Sequence, residues 1–344
     1  TFTRGDSAEG PFDISLRCRG DSSRFREKKS FRVSFNAIDP DMDYHGIEKM
    51  NLNAEANDPS LVRAKLGHEL YRYLGVPAPR SNHVLLYINN QYYGVYLNTE
   101  HVDERFVKSR YDNNDGNLYI CQTSADLSYL GPSQDDYKLE VGGDQVYELR
   151  TNEKWDDYGD LEHLISVLNQ FTGEDLKKEL ERLMNIQQFL KIMALDVMLG
   201  NWDGYVGNSN NFYLYRDQVS GRFEYIPYIL ENSAGIDFLG ADWSDRSIYN
   251  WNLKLAPLYT KILELEECKG QFTSYIKVLA SYLASPELSG KLAQWRDQIS
   301  GHVAADTFFI KDLGVIFTAF EIVLGGGRGG HEAVGVPTGC SFEV

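Results

Sequence analysis

The sequence predicts an α+β fold with two lobes, a strand-rich N-terminal lobe and a mainly helical C-terminal lobe. Two observations support this prediction. Up to about residue 100, segments that alternate apolar and polar residues predominate, which is the pattern of half-buried strands. From about residue 160 onward, apolar residues recur at helical spacing. We place the N-terminal lobe at 1–103, the C-terminal lobe at 104–320 and a glycine-rich tail at 321–344.

A hairpin with a polar loop is predicted near the N-terminus. Phe12–Cys18 and Ser30–Phe35 both alternate apolar and polar residues. The loop between them can offer backbone amides and hydroxyl groups to an anion, and two lysines begin the second strand. The candidate nucleotide-binding residues of this segment are Gly20, Ser22, Ser23, Arg24, Lys28 and Lys29. A flexible polar loop without a ligand is the alternative.

The first predicted helix follows Pro59 and ends at Gly75. Its apolar face is formed by residues at helical spacing, namely Val62, Leu66, Leu70 and Tyr73. Glu69 falls among them, where a carboxylate is costly unless it is paired. We therefore predict that Glu69 contacts a lysine or arginine of the preceding hairpin. The alternative is a position at the edge of this face, from which Glu69 reaches solvent.

Two further strands and a connector complete the predicted N-terminal lobe. The strands N-H-V-L-L-Y-I and Y-Y-G-V-Y-L are joined by a turn at 89–91, and the connector T-E-H-V-D follows at 99–103. The resulting order is strand, glycine-serine loop, strand with lysine, helix with glutamate, two strands and connector. This is the order of a protein-kinase N-lobe, in which a lysine binds nucleotide phosphates and a helix glutamate orients it.

The segment N-W-D-G-Y-V-G-N-S-N-N-F-Y-L-Y, 201–215, follows a predicted buried helix at Ile186–Gly200. Within it, Asp203 and Asn208 have the D-x-x-x-x-N spacing of a kinase catalytic loop. The segment is therefore a candidate site for a nucleophile-activating carboxylate and a metal ion. A tight turn built from Asn, Gly and Asp is the alternative for its first residues.

A second candidate loop, Glu231–Asp237, follows the predicted strand R-F-E-Y-I-P-Y-I-L. A carboxylate and a glycine at the end of a strand fit a metal-binding loop. The region 112–160, which precedes the predicted helices, is acidic and turn-rich. We interpret it as an insertion or as the edge of a lobe.

Composition and charge exclude several classes of protein. The formal net charge of -16, with 50 acidic against 34 basic residues, argues against a nucleic-acid-binding surface. No apolar run is long enough to predict a membrane span. The cysteines form no C-x-x-C pair and the histidines no H-E-x-x-H motif, so a zinc site is not predicted. The chain starts in mid-pattern, which is typical of a trimmed sequence that lacks its export signal.

Several ordered motifs resemble the spore coat protein H kinases, the CotH family, over Phe12–Asp306. These motifs are R-G-D-S-S-R, K-K-S-F-R-V, D-P-S-L-V-R, Y-Y-G-V-Y-L-N-T-E and N-W-D-G-Y-V-G-N-S-N-N-F-Y-L-Y. The family consists of atypical secreted or spore-surface protein kinases that transfer the γ-phosphate of ATP to Ser or Thr of proteins. The resemblance implies an atypical protein-kinase-like fold, ATP with Mg²⁺ or Mn²⁺ as cofactors, a protein substrate, and an extracellular or cell- or spore-surface location.

The resemblance also implies roles for individual residues. Asp203 would be the catalytic aspartate, Lys28 or Lys29 would hold the phosphates, and Glu69 would fix that lysine. The connector that contains Glu100 would face the adenine. The implied metal ligands are Asn208, Asn211, Glu231 and, as a substitute carboxylate, Asp237.

One motif of the family is altered in this chain. Where the family usually has I-P-W-D-x-D-x-T-x-G, this chain has I-P-Y-I-L-E-N-S-A-G at 226–235. Ile229 replaces the first aspartate and cannot bind a metal, whereas Glu231 replaces the second and can. Three functions therefore stay open: an active kinase that uses Glu231, a catalytically silent kinase-like module that binds a partner at a surface, and another nucleotide-dependent transfer such as adenylylation.

Overall fold

Strands and helices are both present, so the predicted α+β class is confirmed. The computed structural model describes residues 1–20, 25–55, 57–228, 230–234, 246–306 and 308. The strand-rich part precedes the mainly helical part, as predicted. The predicted glycine-rich tail at 321–344 lies outside the described residues.

The elements predicted from the sequence occur in the predicted order, together with others that were not predicted. The strands are β1 Phe2–Arg4, β2 Ser7–Glu9, β3 Ser15–Arg19, β4 Ser30–Ser34, β5 Lys49–Asn53, β6 Ser81–Ile88, β7 Gln91–Glu100, β8 Leu118–Cys121, β9 Glu140–Val141, β10 Asp144–Gln145, β11 Tyr147–Leu149, β12 Phe212–Asp217 and β13 Arg222–Pro227. The helices are α1 Arg63–Tyr73, α2 Glu104–Tyr111, α3 Gly159–Gln170, α4 Gly173–Leu183, α5 Ile186–Leu199, α6 Tyr205–Asn208, α7 Pro257–Leu263, α8 Glu266–Leu283 and α9 Pro286–Val303. Within the described ranges, no helix combines the length and apolar character that a membrane crossing needs.

The N-terminal lobe is built on an antiparallel sheet of five strands in the order β3-β4-β5-β7-β6. The first predicted hairpin corresponds to β3 and β4, in which Leu16 lies opposite Val33. The second corresponds to β6 and β7, whose turn residues Asn89 and Asn90 both have positive φ. Asparagine tolerates this left-handed conformation better than most residues. Both predicted hairpins are confirmed.

The C-terminal lobe is organised around α5, in which almost every side chain is buried. α5 packs against α8, α1 and β13. A sheet in the order β11-β8-β12-β13 lies beside it, and the region 112–160 supplies β8 and β11. Since α1 also belongs to the main apolar core of the helices, the helix that follows β5 joins the two lobes.

The predicted partner of Glu69 is wrong. The Glu69 carboxylate accepts hydrogen bonds from Arg72, one turn further along α1, and from Nζ of Lys291 on α9, at 2.8 and 2.7 Å. The same edge of α1 places Tyr73 against Tyr282, with ring centroids 3.7 Å apart. This edge of α1 therefore faces the end of α8 and the start of α9, so Glu69 pairs with α9 and not with the hairpin.

A buried ion pair fastens the end of the helical part to the five-stranded sheet. Asp306, which follows α9, accepts hydrogen bonds from Nζ of Lys28 at 2.7 Å and from the backbone N of Val95 at 3.1 Å. Gly94 makes this approach feasible, because a Cβ at its position would lie 2.2 Å from Oδ2 of Asp306. Lys28 also donates to the carbonyl oxygen of Val95. The lysine predicted to hold phosphates thus contributes to a contact that holds the fold together.

Candidate active site

The candidate catalytic loop begins where α5 ends. Gly200 caps the end of α5, and its φ of 63° reverses the chain. The backbone N and the side chain of Asn201 donate to the carbonyl oxygen and the carboxylate of Asp196, at 2.8 and 3.2 Å. The hydroxyl of Tyr71, on α1, also donates to the Asp196 carboxylate, at 2.6 Å. The start of the loop is therefore fixed to α5 and α1 together.

One helical turn brings Asp203 and Asn208 into contact. α6 closes the D-x-x-x-x-N segment, so that Nδ2 of Asn208 donates to Oδ1 of Asp203 at 2.9 Å. Gly207 permits this turn, because a Cβ there would lie 2.1 Å from the carbonyl oxygen of Trp202. Nδ2 of Asn211 donates to the backbone carbonyl of Asp203, also at 2.9 Å. The two residues of the D-x-x-x-x-N pattern, Asp203 and Asn208, are thus in direct contact.

A second amide orients the other carboxylate oxygen of Asp203. Nδ2 of Asn232 donates to Oδ2 of Asp203 at 2.9 Å, and Oδ1 of Asn232 accepts from Asn57 at 3.0 Å. Asn57 lies shortly before α1, and Asn232 belongs to the second candidate loop. The Asp203 carboxylate is therefore held by two neutral amides, in a network that reaches both lobes.

The second candidate loop is anchored on the same helix as the first. The backbone N of Ala234 donates to the carbonyl oxygen of Leu199 at 2.6 Å, at the end of α5. The hydroxyl of Ser233 donates to the carbonyl oxygen of Leu230 at 2.7 Å and closes the turn. Because α5 supports both loops, Glu231 lies beside the catalytic loop.

Glu231 lies among charged groups of both signs. Burial raises the pKa of its carboxyl group to about 7. Arg19 and Arg26 oppose this shift, whereas Asp58 and Asp203 reinforce it. A bound cation favours the ionised form of a carboxyl group, so this environment is better suited to a carboxylate that binds a cation than to an isolated one.

Both loops line a polar cleft of about 520 Å³, which is within the usual size of small-molecule sites. The N-terminal lobe lines it with Arg19, Gly20, Arg26, Asn53 and Glu55, among others. The C-terminal lobe lines it with Trp202, Asp203, Asn208, Asn211 and Glu231, among others. The cleft thus brings together five residues predicted from the sequence, namely Gly20 of the hairpin loop with Asp203, Asn208, Asn211 and Glu231.

Two arginines that the sequence reasoning missed contribute cations to this cleft. Arg19 donates to the side chains of Asn53 and Tyr228. Arg26 donates to Oδ1 of Asn57 at 3.4 Å. Arginine at the end of a strand beside Gly20 is the signal that could have identified Arg19. Its planar fork of donors matches phosphate oxygens, as does that of Arg26.

Three residues predicted to bind nucleotide contact other groups and are not among the described residues that line the cleft. Lys28 is paired with the carboxylate that follows α9. Glu69 is paired towards α9 and does not orient Lys28. The Glu100 carboxylate accepts hydrogen bonds from Arg80 and Arg110, both at 2.7 Å. A helix glutamate paired with the strand lysine, as in the N-lobe order read from the sequence, is therefore not formed by Glu69 and Lys28.

The remaining predicted residues include some whose surroundings are not described. The carbonyl oxygen of Lys29 accepts a hydrogen bond from the Tyr96 hydroxyl at 2.8 Å. The candidate residues outside the described part of the chain are Ser22, Ser23, Arg24 and Asp237, as is the altered position Ile229. The nucleotide-binding and metal-binding roles of these residues stay predictions.

Glu55 is a cleft residue that the sequence reasoning missed. It lies between β5 and α1 and is only 2% exposed. Neither carboxylate oxygen has a hydrogen-bond partner among the described residues. Burial raises the pKa of this carboxyl group, Glu231 and Asp58 reinforce the shift, and Arg19 and Lys28 oppose it. An acidic residue between a buried strand and a buried helix start was the available signal.

The site fits a nucleotide-bound divalent cation better than a metal cage made of protein alone. Within the described part of the chain, no three His, Cys, Asp or Glu side chains form a ready-made metal site. Mg²⁺ at a phosphate site is usually bound by one or two carboxylates, waters and the phosphates themselves. Glu231 and the unpaired oxygens of Glu55 offer carboxylates of this kind in the cleft.

Comparison with known proteins identifies the family of this chain. The model of the CotH kinase protein family matches residues 16–321. Inner spore coat protein H of Bacillus subtilis is 28% identical over 308 residues, which cover 88% of this chain and 80% of that protein. Invasin CotH3 of Rhizopus delemar is 24% identical over 168 residues, which cover 46% of this chain and 27% of the invasin.

The comparison with solved structures also found a kinase. The Helicobacter pylori proinflammatory kinase CtkA is 12% identical, with 89% of this chain and 97% of that chain covered and a TM-score of 0.35. A TM-score of this size supports no inference about function. The family match does not depend on it, since the matched segment spans most of the chain. This protein therefore belongs to the CotH kinase protein family.

Proposed function

We propose that this protein is an ATP-dependent protein kinase that phosphorylates Ser or Thr of a protein substrate with the help of Mg²⁺ or Mn²⁺. The observation that carries the proposal is the arrangement around Asp203. Its carboxylate lines a polar cleft and is oriented by Asn208 and Asn232, beside the Glu231 loop. Phosphoryl transfer mainly requires such positioning, together with groups that neutralise phosphate charge.

In the proposed reaction, Asp203 orients the acceptor hydroxyl and accepts its proton. The hydroxyl oxygen forms a bond to the γ-phosphorus of ATP while the bond from that phosphorus to the β-phosphate oxygen breaks, and ADP leaves. The amides of Asn208 and Asn232 keep the carboxylate in one orientation without forming an ion pair with it. A carboxylate held in this way is oriented to accept the incoming proton.

The phosphates would contact cations of the cleft. Arg19 and Arg26 are the arginines that line it, and Gly20 adds a backbone amide beside Arg19. Glu231 and the side-chain oxygens of Asn208 and Asn211 would hold the divalent cation, which neutralises phosphate charge when bound. Nζ of Lys254 lies 2.7 Å from Oδ1 of Asn208, so this lysine competes with a metal ion for that oxygen.

A surface location and a basic partner are part of the proposal. Relatives of this chain include an inner spore coat protein and an invasin, whose names refer to a spore coat and to invasion. The net charge of -16 favours encounter with a basic protein over an acidic one or a nucleic acid.

A catalytically silent kinase-like module that binds a surface partner is the second candidate. The feature that favours it is the sequence Ile229-Leu230-Glu231, which lacks the first aspartate of the family motif. The contact of Lys254 with Asn208 also occupies an oxygen that the active kinase would use for metal. An ATP-dependent rise in melting temperature would separate a nucleotide-binding protein from a module that binds no nucleotide.

The decisive experiment is transfer of labelled phosphate to a generic basic protein and to the chain itself. It uses ATP labelled at the γ position or at the α position, with Mg²⁺ and separately with Mn²⁺. The variants are Asp203→Asn, which keeps the volume of the side chain, and Asp297→Asn, which changes an exposed aspartate of α9 and serves as the control.

We expect metal-dependent transfer of the γ label that falls by about 10²- to 10⁴-fold in Asp203→Asn, because a positioned general base contributes about that much. Asp297→Asn should match the wild type. Transfer of the α label would instead indicate adenylylation. No transfer with either metal from a folded sample would contradict the kinase and favour the silent module.

A further inference from the structure

Glu55 is a buried carboxylate in the cleft without a hydrogen-bond partner among the described residues. The residue is 2% exposed, and no donor within the described ranges reaches either carboxylate oxygen. An ionised carboxylate is normally buried only when it is paired or bound to a metal, because removal from water is costly. Such an unpaired group in a functional cleft therefore calls for a ligand that the protein does not itself supply.

Hydrogen-bond donors lie close to Glu55 in the sequence, but the described donors contact Asp58 and not Glu55. Asp58, three positions later and also buried, accepts hydrogen bonds from the backbone N of Arg63 at 2.7 Å and from its guanidinium at 3.1 Å. The side chain of Ser60 completes this set. The ion pair between Asp58 and Arg63 thus fixes the start of α1.

The backbone holds Glu55 in an unusual conformation. Its φ is 51°, in the left-handed region that few residues other than glycine adopt. The backbone N of Asp58 donates to the carbonyl oxygen of Glu55 at 2.9 Å and closes the turn. Strained residues of this kind persist at ligand sites, where the conformation aims a side chain. Here the residue so held lines the same cleft as Asp203 and Glu231.

The electrostatic surroundings favour a cation at this point. Glu231 and Asp58 repel the Glu55 carboxylate, while Arg19 and Lys28 attract it. Arg19 donates to Asn53 and Tyr228, and Lys28 donates to Asp306, so both cations are engaged with other groups. The repulsion between Glu55 and Glu231 is relieved most directly by a divalent cation that binds both carboxylates.

We propose that Glu55 is a ligand of the divalent cation, shared with Glu231, and that it supplies from the N-terminal lobe the second carboxylate that the altered motif lacks at Ile229. The role of the cation in phosphoryl transfer rests on the proposed function. The binding of the cation does not, and it can be measured without any transfer reaction. Glu55 thereby couples the segment before α1 to the metal loop when the cation is bound.

The test is Mn²⁺ binding, followed by the electron paramagnetic resonance signal of free Mn²⁺ with and without a non-hydrolysable ATP analogue. The variants are Glu55→Gln and the matched control Glu264→Gln, which changes an exposed glutamate after α7. Melting temperatures with and without Mn²⁺ are recorded on the same samples. We expect Glu55→Gln to weaken Mn²⁺ binding by about tenfold or more, as loss of a metal-site group does, and Glu264→Gln to bind like the wild type.

The melting temperature without Mn²⁺ distinguishes a loss of Mn²⁺ binding from misfolding of the variant. Glu55→Gln removes an unpaired buried carboxylate, so in the absence of Mn²⁺ its melting temperature should equal or exceed that of the wild type. Unchanged Mn²⁺ affinity in Glu55→Gln, or no Mn²⁺ binding by the wild type with and without the analogue, would overturn the proposal. Binding that requires Glu55 without any phosphate transfer would uphold this inference and contradict the kinase.

Discussion

Two groups of buried carboxylates lie in or beside the N-terminal lobe, and they differ in what they contact. Asp58 and Asp306 are fully buried and paired with Arg63 and Lys28 at 3.1 and 2.7 Å. Glu55 is almost equally buried but has no hydrogen-bond partner among the described residues. The paired acids join parts of the fold, whereas the unpaired acid lies in the cleft. Pairing, and not burial alone, separates the structural acids from the candidate metal ligand.

Removing a paired acid should have the largest effect on stability. Asp306→Ala leaves Lys28 buried without this carboxylate, and breaking a buried pair in this way costs about 3–5 kcal/mol. We expect that loss in the free energy of unfolding measured with urea. The double variant Lys28→Met with Asp306→Ala should recover part of it, since the charge of Lys28 is then removed together with the carboxylate that it contacts.

The same variants sharpen the role of Lys28. A stable double variant that still transfers phosphate would show that Lys28 serves the fold and not the nucleotide. Loss of transfer in a stable double variant would support the phosphate-holding role that the sequence resemblance implies. If Asp306→Ala has the same free energy of unfolding as the wild type, the pair of Lys28 and Asp306 does not stabilise the fold.

An acid whose hydrogen-bond donor among the described residues is a neutral amide should show an intermediate effect on stability. Glu224 is 6% exposed and accepts hydrogen bonds from Asn185 at 3.2 and 3.0 Å. Burial raises its pKa to about 7, and Asp217 adds to the shift. Because the folded state prefers the protonated form, this contribution to stability is present at acidic pH and is lost as the pH rises towards 7.

Glu224→Gln should therefore gain stability over the wild type as the pH increases. The advantage should grow by on the order of 2 kcal/mol between about pH 5 and about pH 8, measured by urea unfolding. Glu264→Gln provides a surface control for the loss of one charge. An advantage that is the same at both pH values would mean that Glu224 does not titrate in this range.

Removing a partly exposed ion pair should have the smallest effect on stability. The Glu69 side chain is 20% exposed and pairs with Arg72 and Lys291. Glu69→Gln should change the free energy of unfolding by only about 0–1 kcal/mol, as is usual for pairs near the surface, and should leave phosphate transfer unchanged. A tenfold fall in transfer would restore the orienting role that the kinase-like order predicted for Glu69.

Local patterns in the sequence predict the parts of the molecule that are formed by neighbouring residues. Alternation of apolar and polar residues located β3, β4, β6 and β7, and helical spacing located α1 and α5. The spacing of Asp203 and Asn208 marked the candidate catalytic loop, and a single turn of helix brings the two side chains into contact. These features depend on backbone geometry over a few residues.

Contacts between distant segments could not be predicted in the same way. The partner of Glu69 on α9 is 222 positions away, and the partner of Lys28 is 278 positions away. Periodicity identifies the buried face of a helix but not the element that covers it. Glu55 was missed for the same reason, because the Glu231 loop that faces it in the cleft comes from the other lobe.

The contact between Lys28 and Asp306 has a consequence for the order in which the protein is made. Synthesis proceeds from the N-terminus, so the strands of the five-stranded sheet leave the ribosome long before Asp306 does. Until α9 has emerged, Lys28 lacks the carboxylate that it contacts in the finished protein. We therefore expect the nascent N-terminal lobe to stay incompletely closed during translation and to complete its folding only after α9 and Asp306 are released.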